Sequence, residues 1–237
     1  MSLDGYFFGE TCMNMAATFE RVVRSRRATR QFLADPVPQS EIEAVLQDAQ
    51  RSPSNCNTQP WSVHIVSGKK RDELAEALSL AASKGKFVPD FSFDMGAFPG
   101  VLGERASASG KAHYDLLKIA RDDEAGRNQA SNRNFEFFGA PHVALLFMPS
   151  IGDNVRTAGD VGMYGQTFLL SLTARGLAGI PQTSLAFFAP TIRSFLGIRE
   201  DYKMLFGISF GYADPKALVN SLDVGRADLS ETVVFHS

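Results

Sequence analysis

The chain is 237 residues long, 44% hydrophobic and 21% charged, an ordinary globular composition with enough apolar side chains for a sizeable core. Its 24 basic and 26 acidic side chains leave a formal charge of −2, so no overall attraction to nucleic acid or an anionic membrane is expected. Apolar runs such as Val143 to Met148 fall far short of the roughly 20 residues a spanning helix needs, and the N-terminus lacks the basic start and apolar stretch of a secretory signal.

Residues 1–15 read as a flexible tail. Met15, Phe19, Val22 and Val23 then share one face of an amphipathic helix, and Arg26-Arg27-Ala28-Thr29-Arg30-Gln31-Phe32 follows. Three arginines within five positions make a candidate anion site. Arg26 and Arg30 would share a face on a continued helix or wrap a phosphate from two sides in a loop, and guanidinium forks suit phosphate oxygens. A solvated basic face is the bland alternative.

Ser40 followed by Glu43 has the capping-box pattern, and Ile42, Val45, Leu46 and Ala49 recur at helical spacing. That helix delivers the loop Pro53 to Pro60. There Asn55, Asn57 and Gln59 each offer donors and acceptors, while the flanking prolines restrict the backbone. Such a loop suits a flat heterocycle, a flavin or a base, although the same residues also build ordinary turns. Trp61, Val63 and Ile65 alternate with Ser62 and His64 in a strand ending at Gly68, and Leu74, Ala77, Leu78 and Ala81 form the next helix.

Gly85 to Gly110 holds four Phe, two Pro and five Gly without regular period, and reads as a lid, a binding loop or disorder. Helical spacing returns at Tyr114, Leu117 and Ile119 and again before Phe137 and Phe138. Val143 to Met148 is a short buried strand, Asp160 to Arg175 a long helix closed by Gly176, and Pro190 to Leu196 a short helix before Gly197. Met204 to Phe210 is the last clear strand, and the chain beyond Asp214-Pro215 reads as extended. With no repeat or linker in view, residues 16–237 read as a single domain.

Some patterns mislead. Gly207-Ile208-Ser209-Phe210-Gly211 matches a nucleophile elbow, with Asp223 or Asp228 and His236 in triad order, but Asp214-Pro215 follows too soon for the required helix. Gly159, Gly162 and Gly165 have the wrong spacing for a dinucleotide loop and read as small residues for close helix packing. His64, His113, His142 and His236 show no metal-ligand spacing and read as surface or strand residues. With only Cys12 and Cys56, no structural disulfide is expected, and a reducing cytoplasm is the expected compartment.

Taken together, Arg26-Arg27-x-x-Arg30-x-Phe32 and Pro53-Ser54-x-x-Asn57-x-Gln59-Pro60-Trp61 resemble the N-terminal half of the FMN-dependent nitroreductase family. The resemblance continues through Phe135 to His142, Asp160 to Leu177 and Gly207 to Asp214, and ends at Asn220 and Arg226. It implies an α+β fold with a central mixed, mostly antiparallel sheet flanked by helices. It also implies an intertwined homodimer, FMN at each subunit interface, and a C-terminal extension wrapping the partner. The implied cofactor-binding residues are Arg26, Arg27 and Arg226 at the phosphate, with Ala28 where the family often has Ser, and Arg30 at the flavin pyrimidine. Pro53, Ser54, Asn55 and Asn57 come from the other subunit. Pro181, Gln182, Thr183 and Ser184 lie beside the ring, where a backbone N–H of Thr183 or Ser184 meets N5, and Arg133 reaches the ring edge or stays on the surface. The implied activity is ping-pong hydride transfer from NADH or NADPH to a nitroaromatic, quinone or related small-molecule acceptor, with no catalytic side chain and no metal. Reductive dehalogenation, flavin cleavage and a flavin carrier without turnover are the alternatives.

Overall fold

The computed structural model describes residues 4–237, with side chains from Asn14 onward. Its centre is a sheet of β1 (Ser62–Ser67), β2 (His142–Pro149), β3 (Ala178–Gln182) and β4 (Tyr202–Gly211) in the order β1-β2-β4-β3. All three pairings are antiparallel, so the expected mixed sheet is corrected: the parallel component among the described residues is one bridge, Ala28 with Gly179.

β2 explains the layering. Its apolar run is buried on both faces because successive side chains alternate sides. Val143, Leu145 and Phe147 face a core with α3 (Gly68–Ser83) and α7 (Ala189–Leu196), contributed by Leu74, Leu78 and Ile192. Ala144, Leu146 and Met148 face α2 (Gln39–Ala49) and α6 (Val155–Ala174) through Val45, Val161, Phe168 and Leu172. Each such fully buried Leu or Phe contributes about 1.5–3 kcal/mol, which holds the sheet between two helical layers.

Several elements differ from the sequence reading. α1 (Asp4–Ser25) has helical backbone from Asp4, inside the stretch read as a tail; the side chain of Cys12 lies outside the described residues. α2 begins one residue before Ser40: Pro38 is its N-cap, its carbonyl accepting from Glu41 and Ile42, and no side chain caps it. The capping box is instead at Asp228 and Glu231, opening the short α8 (Leu229–Thr232) in the segment read as extended. The irregular Gly85 to Gly110 stretch becomes α4 (Val101–Leu116) from Val101 onward, followed by α5 (Glu124–Asn132). No side chain of α4 is fully buried, so it lacks the apolar period that marks a helix, and Gly103 is required because a Cβ there would meet the Phe98 carbonyl oxygen at 2.7 Å. Of the three spaced glycines in α6, only Gly165 is in close packing, where a Cβ would come within 2.7 Å of the Phe206 ring.

Candidate cofactor site

Beyond Ser25 the chain leaves the helix and runs beside β3. Ala28 bridges Gly179, Thr29 N–H donates to the Gly179 carbonyl at 3.4 Å, and Phe32 bridges Ala213. In this extended path Arg26 and Arg30 do not share a helical face; four residues of strand-like chain place their backbones about 13 Å apart. The path is locked by Asn220. Its Oδ1 accepts from the N–H groups of Arg30 (2.8 Å) and Gln31 (3.1 Å), and its Nδ2 donates to the carbonyls of Gln31 (2.8 Å) and Asp214 (3.0 Å).

At the near end, Arg26, Arg27, Thr29, Thr173 and Ser221 surround a cavity of about 450 Å³. Burial, and then the charge of Arg226, lower the Arg26 pKa, which brings a residue from the far end of the sequence to the same cluster. No carboxylate pairs with Arg26 or Arg226 among the described residues. An uncompensated pair of like charges suits an anion.

At the other end, Arg30 and the β3 terminus Pro181–Ser184 line a cavity of about 270 Å³ with His113, Asn134 and Phe138. The Gln182 side chain does not face this cavity. It is 3% exposed, donates through Nε2 to the Asn134 carbonyl (3.0 Å) and Oδ1 (3.2 Å), and accepts from Ser209 Oγ through Oε1. Ser184 Oγ donates to the same Asn134 Oδ1 at 2.9 Å. So only the Gln182 backbone is available to a cofactor, and its side chain fixes the shape of the cradle. The apparent nucleophile elbow is resolved too, since Ser209 is fully buried inside β4 with no strand-to-helix turn. Arg133 caps α5, donates to Gln31 Oε1 at 2.7 Å and lies 5.9 Å from the Phe138 ring centre. It lines a larger neighbouring cavity of about 920 Å³, which Arg30, His113 and Phe138 also border.

The amide-rich loop lies elsewhere in the chain. Asn55 N–H donates to the buried Asp160 of α6 at 3.0 Å, Gln59 N–H donates to Ser54 Oγ at 2.9 Å, and Gln59 Nε2 donates to the carbonyl (3.2 Å) and Oδ1 (3.3 Å) of Asn57. Cys56, Asn57 and Gln59 all have left-handed φ angles of 48–54°, strained for non-glycine residues and held by these bonds. Pro53, Asn55 and Asn57 are exposed, and none of the cavities at the arginines includes this loop. One chain therefore assembles Arg26, Arg27, Ala28, Arg30, Pro181–Ser184 and Arg226 along one edge, with Arg133 close by, but not Pro53 to Asn57.

Among the described residues no group of three or more His, Cys, Asp or Glu could hold a metal. His142 is a buried structural residue: its Nε2 accepts from Val37 N–H at 2.9 Å, which places the proton on Nδ1, 2.6 Å from Ser67 Oγ. Asn134 escapes a sequence reading altogether, and His113, read as a surface or strand residue, lies instead in α4 at the wall of both cavities. The Asn134 partners Gln182 and Ser184 lie 48 and 50 positions from it, and no periodicity marks such contacts. No helix of the described residues is long and apolar enough to cross a membrane.

The architecture, an antiparallel four-stranded sheet between two helical layers, is that of a solved nitroreductase. The crystal structure of the FMN-dependent nitroreductase NfnB from Mycobacterium smegmatis in complex with NADPH matches it with a TM-score of 0.91, covering 94% of this chain and 100% of that one at 46% identity. The chain belongs to the nitroreductase family, whose sequence profile matches residues 23–212. Nitroreductase NfnB of Mycolicibacterium smegmatis is 46% identical over 223 residues, 94% of each chain. A 4-nitrobenzoate reductase of Pseudomonas putida is 38% identical over 214 residues, covering 88% of this chain and 91% of the relative.

Proposed function

We propose that the protein is an FMN-dependent oxidoreductase that takes hydride from NADPH and reduces nitroaromatic acceptors. The observation that carries this reading is the row of guanidiniums laid along the β3 edge: Arg26 and Arg27 at one cavity, with the charge of Arg226 felt at Arg26, and Arg30 about 13 Å of backbone further on at another. That separation suits the phosphate and ring ends of FMN. The relatives support the same chemistry, one being a structure with NADPH and another a 4-nitrobenzoate reductase.

Bound FMN supplies the hydride chemistry. The chain supplies everything around it. Arg26, Arg27 and Arg226 hold the phosphate, where Ala28 offers no hydroxyl. Arg30 would hold the pyrimidine end of the ring, where its positive charge would favour the ring's gain of electrons. The backbone of Pro181–Ser184, braced by Gln182, Asn134 and Ser209, sets the ring's position, and Arg133 borders the space beside it. No side chain is needed as nucleophile.

The second wall of the site comes from a second copy of the chain, through Pro53, Ser54, Asn55 and Asn57. Their prestrained, exposed loop has no ligand role within one chain. Apolar side chains left in solvent, Phe19 at 63%, Val234 at 75% and Phe235 at 84% exposure, support an intertwined homodimer with the C-terminal segment against its partner. The exposed free thiol of Cys56 fits a reducing cytoplasm.

Purified protein should be yellow, release FMN and not FAD on denaturation, and bleach on anaerobic addition of NADPH, regaining colour when a nitroarene is added. Colourless protein that takes up no added FMN overturns the reading, and bound flavin without NADPH bleaching makes it a carrier. Mixing an Arg26→Ala, Arg226→Ala chain with an Asn55→Ala, Asn57→Ala chain should restore FMN binding in part. Full activity in a protein that sediments as a monomer refutes the shared site.

A further inference from the structure

Where the two cavities meet stands a residue that nothing so far uses. His113 lies in the last turn of α4 and borders both the small cavity with Pro181–Ser184 and the larger one with α5, as do Arg30 and Phe138. The ring-binding end of the site and the room left for a second planar molecule therefore adjoin at this imidazole. Its Nδ1 is buried and has no hydrogen-bond partner among the described residues. Buried polar atoms are nearly always paired in folded proteins, so an orphan at the wall of a cleft points to a ligand.

We propose that His113 is an acceptor-binding residue, hydrogen-bonding a nitro or carbonyl oxygen of the molecule that reoxidises the flavin. This rests on the functional reading above. The chemistry of its neighbours narrows the choice. Arg30 donates to the Ala28 carbonyl at 3.4 Å and serves the pyrimidine edge, while Arg133 is engaged by Gln31. Burial, and then Arg30, hold the His113 pKa below its ordinary value, so the ring is neutral at pH 7 and keeps one N–H donor without a charge that Arg30 would repel. Nitro and quinone oxygens accept such a donor, and a neutral donor serves uncharged acceptors as well as acidic ones.

The test uses FMN-loaded protein with His113→Phe, which keeps a planar ring without polar atoms, and His113→Gln, which restores an N–H. FMN content and the rate of anaerobic bleaching by NADPH are measured alongside, and the change in the acceptor half-reaction should exceed the change in either. Reoxidation by nitrobenzene should slow about tenfold in His113→Phe at subsaturating acceptor and recover in large part in His113→Gln, the loss lying in KM more than kcat. The affinity for benzamide, an unreactive carbonyl analogue read by its shift of the flavin spectrum, should weaken about tenfold in parallel. Equal slowing of both half-reactions, loss of FMN, or unchanged nitrobenzene reoxidation and benzamide affinity overturns the proposal. A wild type that binds no FMN removes the functional reading and this role together, whereas an active wild type matched by His113→Phe removes only the role.

Discussion

Asn220→Ala should damage the site without touching a charged residue. All four hydrogen-bonding positions of the Asn220 amide are filled, two by the N–H groups of Arg30 and Gln31 and two by the carbonyls of Gln31 and Asp214. At about 0.5–1.5 kcal/mol net per bond, and with water reaching part of this half-buried position, the substitution should cost about 3 kcal/mol. For a chain of this length that is a fall in Tm of roughly 6–12 °C. FMN affinity should fall at least about tenfold, because the freed backbone around Arg30 has to be ordered on binding at about 1–2 kcal/mol per residue. Asn220→Asp sharpens the test. Its carboxylate still accepts from the two N–H groups but turns an oxygen toward two carbonyl oxygens, so it should not rescue stability. Thermal unfolding of apo protein and FMN fluorescence titration give both quantities. A Tm within about 1 °C of wild type for Asn220→Ala, or full rescue by Asn220→Asp, would refute the argument that this amide holds the arginine segment in place.

Two further outcomes follow from the charges. If Arg226 binds the phosphate as proposed, Arg226→Ala removes a charge-assisted contact worth about 1.5–3 kcal/mol, so the Kd for FMN should rise about ten- to a hundredfold; unchanged binding by equilibrium dialysis would show that Arg226 does no more than sit near Arg26. Burial lowers the pKa of His64, His113 and His142 below the ordinary value of 6.5, with Arg30 adding to the effect at His113. The unfolded chain therefore takes up protons first as pH falls. Stability from these groups is fully present above about pH 6.5 and declines below it. Urea midpoints measured at pH 7.5 and 5.5 should show that loss, and His142→Gln should reduce the slope; a midpoint constant across this range would contradict the buried neutral imidazoles.

The elements were legible in the sequence where the local signal was strong. The continuous apolar run of β2, the alternation of β1, the helical period of α6 with its stop at Gly176 and the Gly197 end of α7 all reflect interactions within a few residues or a burial pattern repeated along one element. The arginine pattern reads as a candidate anion site for the same reason, since guanidinium chemistry belongs to the residues themselves. Only the tertiary structure decided what those residues face. Arg26 and Arg30 separate because an edge pairing with β3 overrides helix continuation, a contact made with residues some 150 positions away and paid for by no local propensity. Gln182 turns into the core because Ser209 and Asn134 offer its amide better partners than water does, and His113 reaches the cleft because α4 forms where no apolar period marks a helix. The amide loop kept its sequence-level promise of a preshaped, polar surface but stands apart from the arginines, since its bonds run to α6 instead. Chemistry is carried by residue type and shape by short-range pattern, whereas the meeting of distant groups depends on packing free energies that no window of sequence contains.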